Sequence, residues 1–401
     1  MLQKMPYLLA ITFIGIYPVA DTYVLIPAMS EIAQAMPGVG RAGLNFIITI
    51  SSLVVIPASV LAGRLVSAGY LTNKGCVLLG SAIFTLGGLA GGLIADIRWL
   101  LFTRAVLGLG NGLVTAMVVG VTIDYFTERE TPSVMGIFCA ASNILAIGLT
   151  VLSGYLVLWS WRYAFAVYLA DILIIFYHQR VLQKNPTRPV AEAEAPAAAA
   201  AAPAEEVSGE GGAIRAVWGL LALALISKSL GNTMFLALSY FIEGEGLGNA
   251  ADTGLANGVL TAAIGAVSFA FGWIYGQLGR KTATLFFFLM AAGNFLLARS
   301  HSFSGVVAAL ALWGLGSGLT VPYLLQETIA RSPRRLAAPA GALVNSSIYV
   351  AFVVSTFIQP AVARLVGTDD LRVFFTVVGA ALAASGLLMT AFTFIKRTAR
   401  T

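Results

Sequence analysis

Val106–Leu113 reads VLGLGNGL, and Leu312–Leu319 reads LWGLGSGL. The shared core, G-L-G-x-G-L, starts at Gly108 and again at Gly314, a repeat distance of 206 residues. Each copy sits inside a long apolar run. Lipid offers no hydrophobic drive for helices to associate, so helices there pack through small residues that let backbones approach. Glycines could recur in such runs by chance. Two further echoes argue against that. Gly136 and Gly341 each open the helix after the motif, and Gly63-Arg64-Leu65 and Gly272-Trp273-Ile274 stand 209 residues apart. The chain therefore reads as two copies of one half, with the motif in the fourth span of each.

Working outward, apolar runs fall near 6–29, 43–67, 76–96, 99–123, 134–158, 162–180, 216–240, 254–277, 282–299, 304–327, 339–364 and 372–395. Crossing the hydrocarbon core takes about 20 apolar residues per helix. Backbone groups in lipid must bond within their own segment, and barrel strands would alternate as these runs do not. The pattern predicts an all-α integral membrane protein of twelve transmembrane helices in two pseudo-symmetric halves, 1–181 and 215–401. Between them, 182–214 contains AEAEAPAAAAAAPAEEVSGEGG, with no large apolar side chain between Val190 and Val207. That composition predicts a flexible cytoplasmic linker.

Composition agrees. The 401 residues are 58% hydrophobic and 10% charged, against about 25% charged in soluble domains. Two cysteines, Cys76 and Cys139, and two distant histidines, His178 and His301, give no disulfide framework, metal site or catalytic triad. No nucleotide-binding loop, cofactor motif or nucleophile–base set is present, so neither an enzyme nor direct ATP drive is expected. The net charge of +6 is spread in short clusters between spans and does not suggest nucleic acid. With the N-terminus inside, sixteen Lys and Arg residues fall on the inner side, six outside, and Arg104 and Lys228 within spans. This bias places both termini in the cytoplasm of a cell-membrane protein. The first run lacks a small-residue cleavage site and is read as a span.

The local signatures resemble the major facilitator superfamily over nearly the whole length. Gly272–Lys281, GWIYGQLGRK, resembles the family's loop signature G-x-L-a-D-r-x-G-R-K at Gly272, Gly279, Arg280 and Lys281, with Gly63 opening the first copy. Arg104–Gly112, RAVLGLGNG, looks like the arginine-glycine signature of span four, and WRYAF at 161–165 like the entry to span six. Asp21-Thr22-Tyr23, Pro27-Ala28 and Glu31-Ile32-Ala33 are similar to the first span of the drug:proton antiporter branch. The resemblance stops at two places. Ser67 and Gly276 replace the loop carboxylate that latches one conformation in the family, and the fifth span has no Gly-Pro pair. The second departure points away from antiport, while the span-one match points toward it.

Ionisable groups inside spans mark functional sites by default. Asp21 is read as a proton or cation site, with a structural salt bridge as the alternative. The resemblance turns spans one, four and seven toward a central cavity, so Arg104 is a candidate partner for Asp21, with packing against backbone carbonyls as the alternative. Lys228, among Ser227, Asn232 and Thr233, is a candidate for binding an anionic group of the substrate or for pairing with an acid. Asp171 in span six is read as structural, turned inward or protonated. Asp124, Glu128, Arg129 and Glu327 sit at inner helix ends, where a solvated face is the ordinary reading and gate salt bridges are the alternative. Candidate cavity-lining residues are Tyr17, Tyr23, Asn111, Asn232, Trp313, Tyr323, Asn345 and Tyr349, with Tyr240 and Gln359 as further candidates.

The resemblance implies a monomeric secondary transporter that works by alternating access. Proton-coupled efflux of small amphipathic compounds is the activity expected. Uptake of an anionic metabolite, or a receptor or lipid-handling role on the same fold, are the alternatives.

Overall fold

The computed structural model describes residues 4–127, 130–183, 211–331 and 337–398. All regular structure among them is helical. The helices are α1 Met5–Ile14, α2 Ile16–Tyr23, α3 Met29–Ala35, α4 Arg41–Ser67, α5 Asn73–Ala90, α6 Ile97–Thr115, α7 Val118–Tyr125 and α8 Thr131–Val157. A 3-10 helix, Trp161–Leu169, leads into α9 Ala170–Val181. There follow α10 Gly211–Gly244, α11 Ala250–Leu278, a 3-10 turn at Gly279–Lys281, α12 Thr282–Ala298, α13 Phe303–Arg331, α14 Ala337–Val366 and α15 Leu371–Thr398. Residues 184–210, most of the expected linker, lie outside the described residues, and Gly211–Ile214 are helical rather than linker.

Among the described residues, ten helical stretches are long and apolar enough to cross a membrane. One of them, Ala250–Ala298, is divided by the Gly279–Lys281 turn, and α8 holds a further apolar stretch, Ala141–Val157, so twelve crossings fit the described chain. Leu86, Leu173, Phe176 and Phe269 on these helices are more than half exposed. Large apolar side chains exposed on spans of this length are matched by a non-aqueous neighbour, which lipid supplies.

Local chemistry sets the helix ends. Asp96 caps α6, its Oδ1 accepting from the N–H groups of Arg98 (2.8 Å) and Trp99 (3.1 Å). Thr72 caps α5 through the Gly75 N–H at 3.1 Å. These satisfy donors that a helix start leaves unpaired. Gly279 has φ +53°, a conformation that only glycine adopts without strain, and it ends α11.

The expected first span, one helix over 6–29, is instead broken. Residues 24–28 form turns with i→i−3 bonds, Ala28 N to Leu25 O at 3.0 Å and Met29 N to Ile26 O at 3.4 Å. Pro27 is the cause, since its ring clashes with the preceding turn and it has no N–H to donate. The spans that follow the two motif-bearing spans start at Thr131 and Ala337, ahead of Gly136 and Gly341.

The chain divides into two compact units, Met1–Ala191 with Phe235–Ala262, and Glu192–Met234 with Ala263–Thr401. In the first, α6 packs on α4 and α5 through the repeated glycines. A Cβ on Gly108 would stand 2.5 Å from Ser51 O, and one on Gly112 2.5 Å from the Ala58 Cβ, both on α4. One on Gly110 would collide with Phe84 N on α5. The end of α10 and start of α11 also pack in this unit, where Asn257 Nδ2 donates to Thr150 Oγ1 at 3.0 Å.

The second unit repeats the packing. A Cβ on Gly316, which matches Gly110, would stand 2.8 Å from Phe286 O on α12. One on Gly318, which matches Gly112, would stand 2.5 Å from Ile264 O on α11. Gly87 and Gly293 extend the correspondence: the Cβ of one would stand 2.6 Å from Leu107 N and that of the other 2.6 Å from the Trp313 Cβ. Leu107 and Trp313 are themselves matched positions of the repeat. Glycines 206 residues apart thus meet equivalent helices, so the sequence repeat is also a packing repeat.

Candidate functional site

Two helices of the first unit, α2 and α6, meet at one buried carboxylate. Asp21 lies in α2, and Arg104 and Asn111 lie two turns apart on α6. Arg104 Nη2 is 2.5 Å from Asp21 Oδ1, with side-chain exposures of 0% and 4%. The same nitrogen bonds the Asp21 carbonyl. Asn111 Nδ2 donates to the other carboxylate oxygen at 2.9 Å. The rest of the guanidinium is also held. Nε donates to Ile47 O on α4 at 3.1 Å, and Nη1 to the Tyr168 hydroxyl at 3.1 Å. Tyr168 in turn donates to Ala20 O at 3.1 Å.

The packing that admits this cluster follows from the glycine motif. Gly108 and Gly112 bring α6 against the α4 backbone, close enough for Arg104 to reach a main-chain carbonyl. Gly88 on α5 and Gly91 just past its end leave room for Tyr168 and Phe165, whose rings a Cβ would overlap. Both expected partners of Arg104, the carboxylate and the backbone carbonyls, are engaged at once. A fully buried charge is tolerable only when paired and hydrogen-bonded in this way.

A second polar cluster has no counterpart among the expectations from sequence. Tyr17, expected as a cavity residue, is fully buried and donates to Asp171 Oδ1 on α9 at 2.5 Å. Thr85 on α5 bonds the other carboxylate oxygen. Asp171 is thus turned inward. Tyr23 is half-buried and meets Phe235 edge-on, ring centroids 5.7 Å apart.

In the second unit Lys228 is 8% exposed, and no ion pair or hydrogen bond joins it to the described residues. Around it, Ser227 donates to Leu223 O at 2.6 Å and Thr233 to Leu230 O at 2.6 Å, while Asn232 is half-buried. Trp313 is buried against Gly293 and Gly231, and Tyr323 is buried with its ring near Phe286 and Tyr275. Gln359 and Tyr240 are buried and Tyr349 is half-buried, while the Asn345 side chain lies outside the described residues.

The loop signature has its own geometry. Gly63, Gly272 and Gly276 face open space, and Lys281 is exposed. Glu327 on α13 is not on a solvated face. It is 1% exposed, accepts from the Tyr275 hydroxyl at 2.7 Å, and lies 3.6 Å from Arg280 Nε. In the first unit Asp124 on α7 is buried too, accepting from Asn73 Nδ2 at 2.7 Å. Glu128 and Arg129 lie outside the described residues. Each loop therefore finds a carboxylate on the span that carries the glycine motif. No residue of the loop itself supplies it. Lys4 Nζ is 2.6 Å from Glu130 Oε2, which also accepts from Thr127 N at 2.9 Å. The Lys4 ammonium and the Thr127 donors hold the Glu130 carboxyl down at about 2.

The sequence model of the Major Facilitator Superfamily matches residues 11–356. A Multidrug resistance protein Stp of Mycobacterium tuberculosis (strain CDC 1551 / Oshkosh) is 29% identical over 169 residues, 41% of this chain and 31% of that protein. The match thus spans about a third of the curated relative's length. Among solved structures, a peptide transporter POT in complex with sulfate aligns with a TM-score of 0.74 over 96% of this chain and 94% of that one, at 15% identity. A bacterial homolog of the human lysosomal transporter Spinster, inward-facing and unoccupied, aligns at 0.71, with 14% identity over 96% of this chain and 94% of that one. At such identities these structures establish the shared fold.

Proposed function

Since the chain belongs to the major facilitator superfamily and is a multi-pass secondary transporter of small molecules, we propose that it expels small amphipathic compounds in exchange for protons. The observation that carries the proposal is the buried Asp21–Arg104 pair. A carboxylate bound to both a guanidinium and an amide is a site where a proton and a competing cationic substrate exclude one another. A proton on Asp21 releases Arg104 from the ion pair, and its departure restores the pair. The partial likeness to a multidrug resistance protein supports the same direction of transport.

The halves 1–181 and 215–401 are the bodies that rock in this proposal, around a site near the midplane. Both termini face the cytoplasm of the cell membrane, and the monomer is the working unit. The test is transport in proteoliposomes driven by an imposed pH gradient, with a lipophilic cationic dye as probe. Asp21→Asn should abolish the dependence on the gradient. Unchanged gradient-driven transport would remove Asp21 from the proton path.

One observation favours a second reading. Lys228 is buried without an acidic partner among the described residues, which suits a substrate carrying an anionic group. Loss of carboxylate uptake in Lys228→Ala, with dye export unaffected, would support it.

A further inference from the structure

The Asp171 cluster carries a count of protons. Four hydrogen bonds run through it. Tyr17 Oη is 2.7 Å from Ser81 Oγ and 2.5 Å from Asp171 Oδ1. Thr85 Oγ1 bonds Asp171 Oδ2 and is 2.9 Å from Ser81 O. The three hydroxyls supply three protons. Each bond needs one, so an ionised carboxylate leaves one bond without a hydrogen. The Ser81 carbonyl only accepts, and it takes the Thr85 proton. The missing hydrogen therefore belongs on Asp171 Oδ2, donating to Thr85 Oγ1. Ser81 then donates to Tyr17, Tyr17 to Oδ1, and every bond is filled.

The charged surroundings fit a neutral acid. No Lys, Arg or His among the described residues forms an ion pair with Asp171. On its own helix, His178 Nε2 is engaged with Ala10 O of α1 at 3.0 Å. On α5, Lys74 bonds Gln179 O. On the 3-10 helix, Arg162 bonds the Gly92 and Leu93 carbonyls. Arg104 of α6 is committed to Asp21 and Tyr168. On α2, Asp21 is one turn beyond Tyr17. Tyr168, which accepts from Arg104, precedes Asp171 by three residues. The two carboxyl groups are thus joined twice, through α2 and through the 3-10 helix, around the Phe84 ring that Tyr17 and Tyr168 both meet edge-on at 4.9 and 5.5 Å.

We propose that Asp171, with Tyr17 and Thr85, is a second proton-binding site, occupied at neutral pH while Asp21 is ionised, and that the two acids titrate as a coupled pair. The coupling rests on the reading of Asp21 above; the proton on Asp171 does not. In a low-dielectric interior the charge of one carboxylate raises the proton affinity of the other. Holding a proton on Asp171 therefore keeps Asp21 free to ionise against Arg104.

Infrared difference spectra of the reconstituted protein, titrated in pH, test this. The wild type should show a protonated-carboxyl C=O band at neutral pH that Asp171→Asn removes. The amide of that variant can donate to Thr85 and accept from Tyr17, so the fold should be kept. Asp21→Asn should retain the band and shift its titration midpoint by about one pH unit or more. Absence of an Asp171-dependent band at neutral pH, or a midpoint indifferent to Asp21→Asn, would overturn the proposal. If Asp171→Asn fails to fold, Thr85→Val takes its place. Losing the acceptor of the acid proton should move the band's frequency, and an unmoved band overturns the assignment. Transport indifferent to Asp21→Asn would end the antiport reading and still leave these spectra to decide the second site.

Discussion

The Tyr275 hydroxyl donates to Glu327 Oε1 across 2.7 Å, tying the end of α11 to a buried carboxylate on α13. This tie stands where the loop signature lacks its own acid. Tyr275→Phe leaves a buried acceptor short of one bond, at about 1–3 kcal/mol. Arg280 is half exposed and 3.6 Å away, so Arg280→Ala should cost below about 1 kcal/mol. Thermal unfolding of the purified variants separates the two. Equal losses would mean that the arginine holds the loop as firmly as the tyrosine.

Arg104→Ala strands the Asp21 carboxylate, and breaking a buried pair in this way costs about 3–5 kcal/mol. Arg104→Lys should recover little. An ammonium is a point donor and cannot serve Asp21, Ile47 and Tyr168 from one plane. A double-mutant cycle with Asp21→Asn should give a large coupling energy, and additive losses would contradict the geometry.

Gly110→Ala and Gly316→Ala should each destabilise by about 1–3 kcal/mol, because the new methyl meets a neighbouring backbone. Gly148→Ala and Gly272→Ala face open space and should be neutral or slightly stabilising. Gly279→Ala has room but the wrong backbone conformation, and should cost about 1 kcal/mol. Melting temperatures of the five variants would rank them.

The Lys4–Glu130 contact has a defined pH window. Its carboxyl is depressed from 4.5 to about 2, so its contribution is present above 4.5 and fades as pH falls toward about 2. The group is near the surface, so the effect is small and salt-sensitive. Wild type and Glu130→Gln should differ in melting temperature at neutral pH and converge in acid. A difference that persists at the acid end would assign the effect to packing.

Span positions, the all-helical class and the two-copy packing were legible because bilayer thickness and close approach each impose a pattern along the chain. Asp21 and Arg104 were legible as a pair because few charges occur inside spans and the family signatures mark both. The ties of Asp171 were not. Thr85 precedes it by 86 residues, Tyr17 by 154, and which faces of three helices meet depends on rotations that no local pattern records. Glu327 looked solvated because helix ends usually are; its burial depends on how Tyr275 and Arg280 fold over it. The break at residues 24–28 was signalled by Pro27, and apolarity on both sides masked it.

The buried pair also constrains how the protein is made. The Asp21 carboxylate leaves the ribosome 83 residues before the Arg104 that neutralises it. A lone charge released into lipid carries a cost of about 2.5 kcal/mol or more. The first span must therefore wait beside the insertion machinery, or hold a borrowed proton, until the fourth arrives. Either way, α2 can meet α6 as soon as the fourth span is made, before the second half has been translated.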